Sequence, residues 1–135
     1  MKKARNEAER WLRQAESDLA FAALGAREGF PAQACFTSQQ AAEKALKAIH
    51  YLSGARFVPG HSLVELLERA AVQREGLLHL RDSARQLDQY YIPTRYPNGL
   101  PGGIPAEVFT DAQAGDAVSR AHAFIEAART LLSGD

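Results

Sequence analysis

Apolar positions recur every three to four residues along most of this chain, and the breaks between those runs divide it into five predicted helices. The first covers about Arg5 to Glu28, with Trp11 or Leu12, Ala15, Leu19 and Ala22 or Ala23 on one stripe. Gly29 breaks it, and Pro31 suits the first turn of the second helix, which runs to about Leu52. Gly54 and the pair Pro59-Gly60 then mark a turn. A capping box, Ser62-Leu63-Val64-Glu65, opens a third helix that buries Leu63, Leu66, Leu67 and Ala70. The fourth spans about Arg74 to Tyr91 on a narrow stripe of Leu77, Leu80, Ala84, Leu87 and Tyr91. Thr110-Asp111-Ala112-Gln113 caps the fifth, which carries Ala114, Ala117, Val118, Ala121, Phe124, Ile125, Ala128 and Leu132. From Ile92 to Val108, four prolines and three glycines exclude regular helix or ladder pairing. Connections of that length are usually functional or mobile. No strand alternation of useful length occurs. The pattern predicts an all-α chain: an up-and-down antiparallel bundle of about five helices, a four-helix core, and a Pro/Gly-rich loop before the last helix.

The second helix carries two opposed faces. Cys35, Ala42, Ala45, Leu46 and Ile49 form the apolar side, while Gln40, Lys44, Lys47 and Tyr51 line up on the other. A Gln, two Lys and a Tyr in one row, with no acid among them, read as a surface that meets an anion or a partner protein. Gln39 and Glu43 lie between the two faces and suit packing or a dimer contact.

Composition narrows the function classes. The 135 residues make one domain, 1–135, large enough to bury a core. Sixteen basic and sixteen acidic residues cancel, which argues against a general nucleic-acid binder but leaves room for a local basic groove. The single Cys35 excludes an internal disulfide and a Cys-based zinc cluster, and its place on an apolar face makes it a small buried residue. No His-x-x-x-His or Glu-x-x-His pair occurs, so no metal site is expected and no cofactor is required. The four histidines read as surface or cap-adjacent residues. The basic start lacks the apolar run of a secretory signal, and no segment approaches the roughly 18 apolar residues of a membrane span. A cytoplasmic protein without membrane contact is expected.

The candidate polar site has two halves. One is the ridge of Gln40, Lys44, Lys47 and Tyr51. The other is the segment Asp88 to Asn98, in which Tyr90, Tyr91 and Tyr96 surround Arg95. Tyrosines supply stacking surfaces and the guanidinium is a planar bidentate donor for phosphate. Asp88 is placed to fix Arg95 by an ion pair. The same residue types also suit a protein interface or a structural plug at the bundle end, and the spacing leaves the three readings open.

Four blocks, WLRQAESDLAFA, FTSQQAAEKALKAIHYLSG, GHSLVELL and YYIPTRYPN, together resemble the HEPN domain family, over nearly the whole chain. The resemblance implies a compact helical bundle that commonly dimerises. It also implies partnership with a minimal nucleotidyltransferase-domain protein in a toxin–antitoxin-like pair, and a nucleotide (ATP-like) or RNA ligand. Lys44, Lys47 and Arg95 would then neutralise phosphate or partner carboxylates, Gln40 would hydrogen-bond, and Tyr90, Tyr91 and Tyr96 would stack.

Ribonuclease members of the family use an Arg and a His separated by four to six residues on a helix, with two copies brought together in a dimer. Arg56 and His61 match the spacing but flank the Pro59-Gly60 turn. Arg74 and His79 match it in a helical stretch, and they carry the alternative reading, a metal-independent ribonuclease toxin. The polar residue that usually follows the Arg has no good counterpart, since Phe57 is apolar and Glu75, though polar, would repel phosphate. Arg95 is the better counterpart of the family's key arginine and has no His at the required distance. The expectation is therefore a non-nucleolytic binding and assembly module.

Overall fold

The computed structural model describes residues 2–134, and among these the chain is helical with no strands. Helix α1 (Lys2–Arg27) and α2 (Pro31–Leu52) form a long hairpin. Its turn needs Gly29, whose φ of +89° is strained for residues with a Cβ. The Phe30 amide closes the turn on the Gly25 carbonyl at 2.9 Å, and Pro31 takes the first helical position as expected. Gly54, with φ +104°, lets the chain leave the end of α2.

Helix α3 (Leu63–Ala71) starts at Ser62, whose hydroxyl accepts from the Glu65 amide at 3.2 Å. The expected fourth helix is shorter and divided. Glu75–Leu80 winds as a 3₁₀ helix and only Arg81–Asp88 (α4) is α-helical. Leu77 and Leu80 are both buried at a spacing of three, which is the 3₁₀ repeat, before the stripe resumes at Ala84 and Leu87. Pro93 has no amide proton to offer, and the residue before a proline disfavours helix, so the chain passes through turns after Asp88. Tyr91 thereby leaves the core stripe. The Pro/Gly-rich segment holds more structure than expected: a 3₁₀ turn at Pro97–Gly99 and a one-turn helix, α5 (Pro105–Val108), which proline opens at its first position. The last helix, α6 (Asp111–Ser133), has the predicted capping box, with the Gln113 amide donating to Thr110 Oγ1 at 3.1 Å and the Thr110 amide to Gln113 Oε1 at 2.9 Å.

Helix α2 is the centre of the bundle. It packs on α1, α6 and α3, with α1 and α6 also in contact with one another. Ala41, Ala42, Ala45 and Ala48 are fully buried within the single chain, so the small side chains that let helices approach closely are spent on α2's own neighbours. Leu46, Ile49, Leu63, Leu66, Leu67, Leu87, Phe124 and Ile125 fill the remaining core.

Cys35 lies in this core with no exposed surface. Burial, reinforced by the charge of Asp116, pushes its thiol up from 9.0 to about 12. A thiol reagent at pH 8 is expected to leave the native protein unmodified and to react fully once urea unfolds it. The folded state holds the Cys35 proton more tightly than the unfolded chain. Its contribution is complete below pH 9.0 and is lost as pH rises toward 12. Urea titrations of wild type and Cys35→Ala across that range should show the wild type losing its relative stability.

Candidate functional site

The polar residues of α2 are divided between two neighbours. On the α1 side, Lys44 pairs with Asp18, Tyr51 stacks on Trp11 at 5.4 Å, and Lys47 lies 5.8 Å from the centre of the same indole. Lys47 and Tyr51 are each only 7% exposed, so half of the predicted ridge is an internal helix contact rather than an open face. The acid that the ridge seemed to lack is Glu43, one turn before Lys47, with Oε2 3.2 Å from the ammonium.

On the other side a hydrogen-bonded network runs from α2 toward α3 and the segment after α4. Gln40 donates to Gln39 Oε1 at 2.8 Å and to Glu43 Oε1 at 3.4 Å. Gln39, with no exposed surface, donates to the His61 carbonyl at 2.9 Å. His61 Nδ1 lies 3.3 Å from both Glu43 carboxylate oxygens. Glu43 thus holds Lys47 and His61 at once, which satisfies a carboxylate that is itself nearly buried.

Asp88 does not meet Arg95. Its carboxylate accepts from the Leu63 amide at 2.8 Å, the Val64 amide at 3.1 Å and the Ser62 hydroxyl at 3.0 Å, with Gln39 at 3.5 Å. It is a cap supplied from α4, placing negative charge against the unsatisfied amides of the α3 N-terminus. The carboxylate proposed to fix Arg95 is therefore consumed by the fold.

Arg95 is held by aromatic rings instead. Its guanidinium carbon lies 4.5 Å from the centre of Tyr91, 4.6 Å from Phe36 and 5.1 Å from Tyr96. Its Nε donates to the Tyr91 carbonyl at 2.8 Å. Among the described residues no ion pair involves it. His61 stacks on Tyr91 with centres 5.3 Å apart and an interplanar angle of 20°. The result is a platform of Phe36, His61, Tyr91, Arg95 and Tyr96 that leaves the outer guanidinium nitrogens without a carboxylate. Tyr90 belongs elsewhere. It is 3% exposed, its hydroxyl accepts from Gln86 at 3.0 Å, and its ring meets Phe109 edge-on. Burial chiefly raises its phenol above the usual range. It plugs the bundle end.

The Arg74/His79 pair is set apart from this platform in its contacts. Arg74 precedes the 3₁₀ helix and reaches Ser53 Oγ at 3.5 Å, whereas the exposed His79 ring closes on the Gly76 carbonyl at 2.7 Å. Among the described residues, no group of three or more His, Cys, Asp or Glu could hold a metal ion. Phe36, Gln39, Glu43 and His61 are the members that the sequence reading did not assign to the site. Phe36, Gln40, Glu43 and Lys47 follow one another at spacings of four, three and four, so a single helical row contained the signal for two of them.

The family model for the HEPN domain matches residues 8–131. The chain belongs to the HEPN domain family. Solved structures agree. A Thermus thermophilus protein is 40% identical and superimposes with a TM-score of 0.84, covering 91% of this chain and 98% of its own. An archaeal HEPN homologue is 32% identical with a TM-score of 0.76 (93% and 97% covered). A Thermotoga maritima HEPN domain protein is also 32% identical, with a TM-score of 0.74 (93% and 99% covered). None of the curated proteins compared with the chain matches it. In this HEPN bundle the QQAAEKALKA block carries the internal polar network, and the YYIPTRYP block carries both the platform and the plug.

Asp88 serves the HEPN fold directly. Replacing it by Ala leaves two helix-terminal amides and the Ser62 hydroxyl without their acceptor. A loss of about 2–3 kcal/mol is expected, since hydrogen bonds to a charged group contribute about 1.5–3 kcal/mol. Urea unfolding of Asp88→Ala and Asp88→Asn measures it, with the Asn variant losing less.

Proposed function

We propose that this HEPN protein is a non-nucleolytic binding module of the cytoplasm, and that its Arg95 platform receives the phosphate of a nucleotide. The observation that carries the reading is the state of Arg95. Aromatic stacking and one backbone bond fix the guanidinium, while no carboxylate among the described residues neutralises it. A positioned, unpaired guanidinium presents its outer N–H groups as a fork matched to phosphate oxygens. His61, stacked on Tyr91 with its side chain exposed, adds an imidazole beside the same surface. Support for the non-nucleolytic part comes from the local engagements of Arg74 with Ser53 and of His79 with Gly76, which leave that pair on separate partners. Calorimetric titration with ATP is the test. Wild type should give binding heat, and Arg95→Ala should weaken affinity at least about tenfold, the loss of one charge-assisted contact. Equal heats from the two proteins would refute the reading.

A second use of the same face, docking a minimal nucleotidyltransferase of a toxin–antitoxin-like pair, is favoured by one observation. Ile92 and Tyr96, which flank Arg95 in the chain, are 48% and 49% exposed, and exposed apolar and aromatic residues around an arginine suit a protein interface.

Homodimerisation belongs to this proposal as well. The buried alanines of α2 are not available for it. What supports it is an apolar cleft at the turn of the α1–α2 hairpin, lined by Phe21, Leu24, Phe30 and Ala34, where Phe21 and Phe30 are 64% and 54% exposed. Light scattering should return twice the chain mass of 14.7 kDa, and Phe21→Asp/Phe30→Asp should return the monomer. A monomeric wild type would overturn it.

A further inference from the structure

The start of α1 and the end of α2 enclose a second polar surface, which shares no lining residue with the Arg95 platform. Two adjoining clefts, of about 620 and 870 Å³, share Glu7 and Arg10 in their walls. The remaining charged lining is basic: Arg13 and Lys44 in the first cleft, Lys3 and Arg56 in the second. Five basic side chains thus face one acid, in a chain whose formal net charge is zero. Two of the five are spent within the fold, since Lys44 pairs with Asp18 and Arg10 with Glu7. Lys3, Arg13 and Arg56 are exposed, and no ion pair or hydrogen bond among the described residues engages them. Walls of one charge sign concentrate the field and attract a ligand of the opposite sign.

The aromatic residues of the clefts are closed to a ligand. Trp11 stacks on Tyr51 with centres 5.4 Å apart, Lys47 lies 5.8 Å from the indole centre, and the indole N–H donates to Glu7 at 3.3 Å. Tyr51 is only 7% exposed. No free ring face is left on which bases could stack, which is what unpaired nucleic acid requires of its binding groove. Amide side chains stand open instead: Gln14 lines the first cleft and Asn6 the second. An amide side chain offers a donor and an acceptor together, which is what a peptide backbone presents in return.

Spacing points the same way. Lys3, Asn6, Arg10 and Arg13 follow at intervals of three, four and three, one row along α1. From Lys3 to Arg13 that row runs for about 15 Å, at about 1.5 Å of rise per residue. An extended peptide crosses the same distance in about five residues, and its alternate side chains fall on one face about 7 Å apart. Carboxylates at alternate positions therefore reach the free cations, while the neutral residues between them pass over Glu7. A chain charged at every unit would set an anion against that carboxylate. We propose that this α1–α2 surface docks an extended acidic segment of a partner protein, one with carboxylates at alternate residues. The docking is independent of the ligand and partner assigned to the Arg95 platform.

Fluorescence anisotropy at low salt with a labelled peptide of about twelve residues, alternating Glu and Ser, tests it. Wild type should bind this peptide more tightly than one of the same composition with its glutamates contiguous. Arg13→Ala/Arg56→Ala removes two exposed cations that hold nothing else together, so its melting temperature should equal that of wild type. Its affinity for the alternating peptide should fall about fivefold, the loss of two exposed ion pairs. The charge reversal Arg13→Glu/Arg56→Glu should abolish binding. Arg95→Ala should bind the peptide as wild type does, which keeps this test separate from the ATP titration of the platform. No binding by wild type, equal binding of the two peptides, equal binding by the alanine variant, or a loss with Arg95→Ala would each overturn the proposal. So would tighter binding of an oligouridylate of equal charge, which would assign the surface to nucleic acid instead.

Discussion

A helix packed on three sides cannot keep a solvated polar face, and that constraint on α2 organises the rest of this molecule. Fifteen of its 22 residues are buried. The alanines admit α1 and α6 at close range. The charged and amide side chains among them must then find partners inside the protein, because an unpaired buried charge or amide costs more than the fold can spare. Gln39, Glu43 and Lys47 meet that demand with one another, with His61 and with Asp88. His61, just before α3, and Asp88, at the end of α4, lie outside α2, so the network also fixes where the start of α3 and the end of α4 lie relative to α2.

The candidate site is a by-product of that network. Glu43 holds the ring of His61, His61 stacks on Tyr91, and Tyr91 carries the guanidinium of Arg95. Asp88 contributes by being elsewhere. Its carboxylate caps α3, so it cannot neutralise Arg95, and the guanidinium stays available on the surface. One residue thus does structural service and, by the same contacts, leaves a charge unspent. The α1 side of the helix shows the reverse case. Lys47 and Tyr51 look like recognition residues in isolation and are mostly consumed by Trp11 and Glu43, while the unconsumed cations, Lys3, Arg13 and Arg56, lie on α1 and beyond the end of α2.

Several elements were legible in the linear chain because their causes are local. The hairpin turn at Gly29, the proline opening α2, the Thr110–Gln113 box and the periodic core of α6 depend on residues within a few positions of one another. The 3₁₀ start of the fourth helix was not legible, because spacings of three and four coexist along it and packing on α3 and α6 decides between them. Tyr90 and Tyr91 make the same point for the site. They are adjacent and chemically identical, yet one is sealed against Phe109 and the other stacks under Arg95, since successive residues in a turn point in different directions.

By itself, the sequence determined a helical bundle, the approximate position of each long helix, membership of the HEPN family through its motif blocks, and a Tyr/Arg segment of uncommon chemistry. Tertiary structure decided which of those polar residues remain available. Availability depends on what other elements bring within hydrogen-bonding reach, and the partners that settle it here, Asp18 for Lys44, the α3 amides for Asp88 and the aromatic rings for Arg95, lie tens of residues away along the chain or across a turn whose direction only packing fixes.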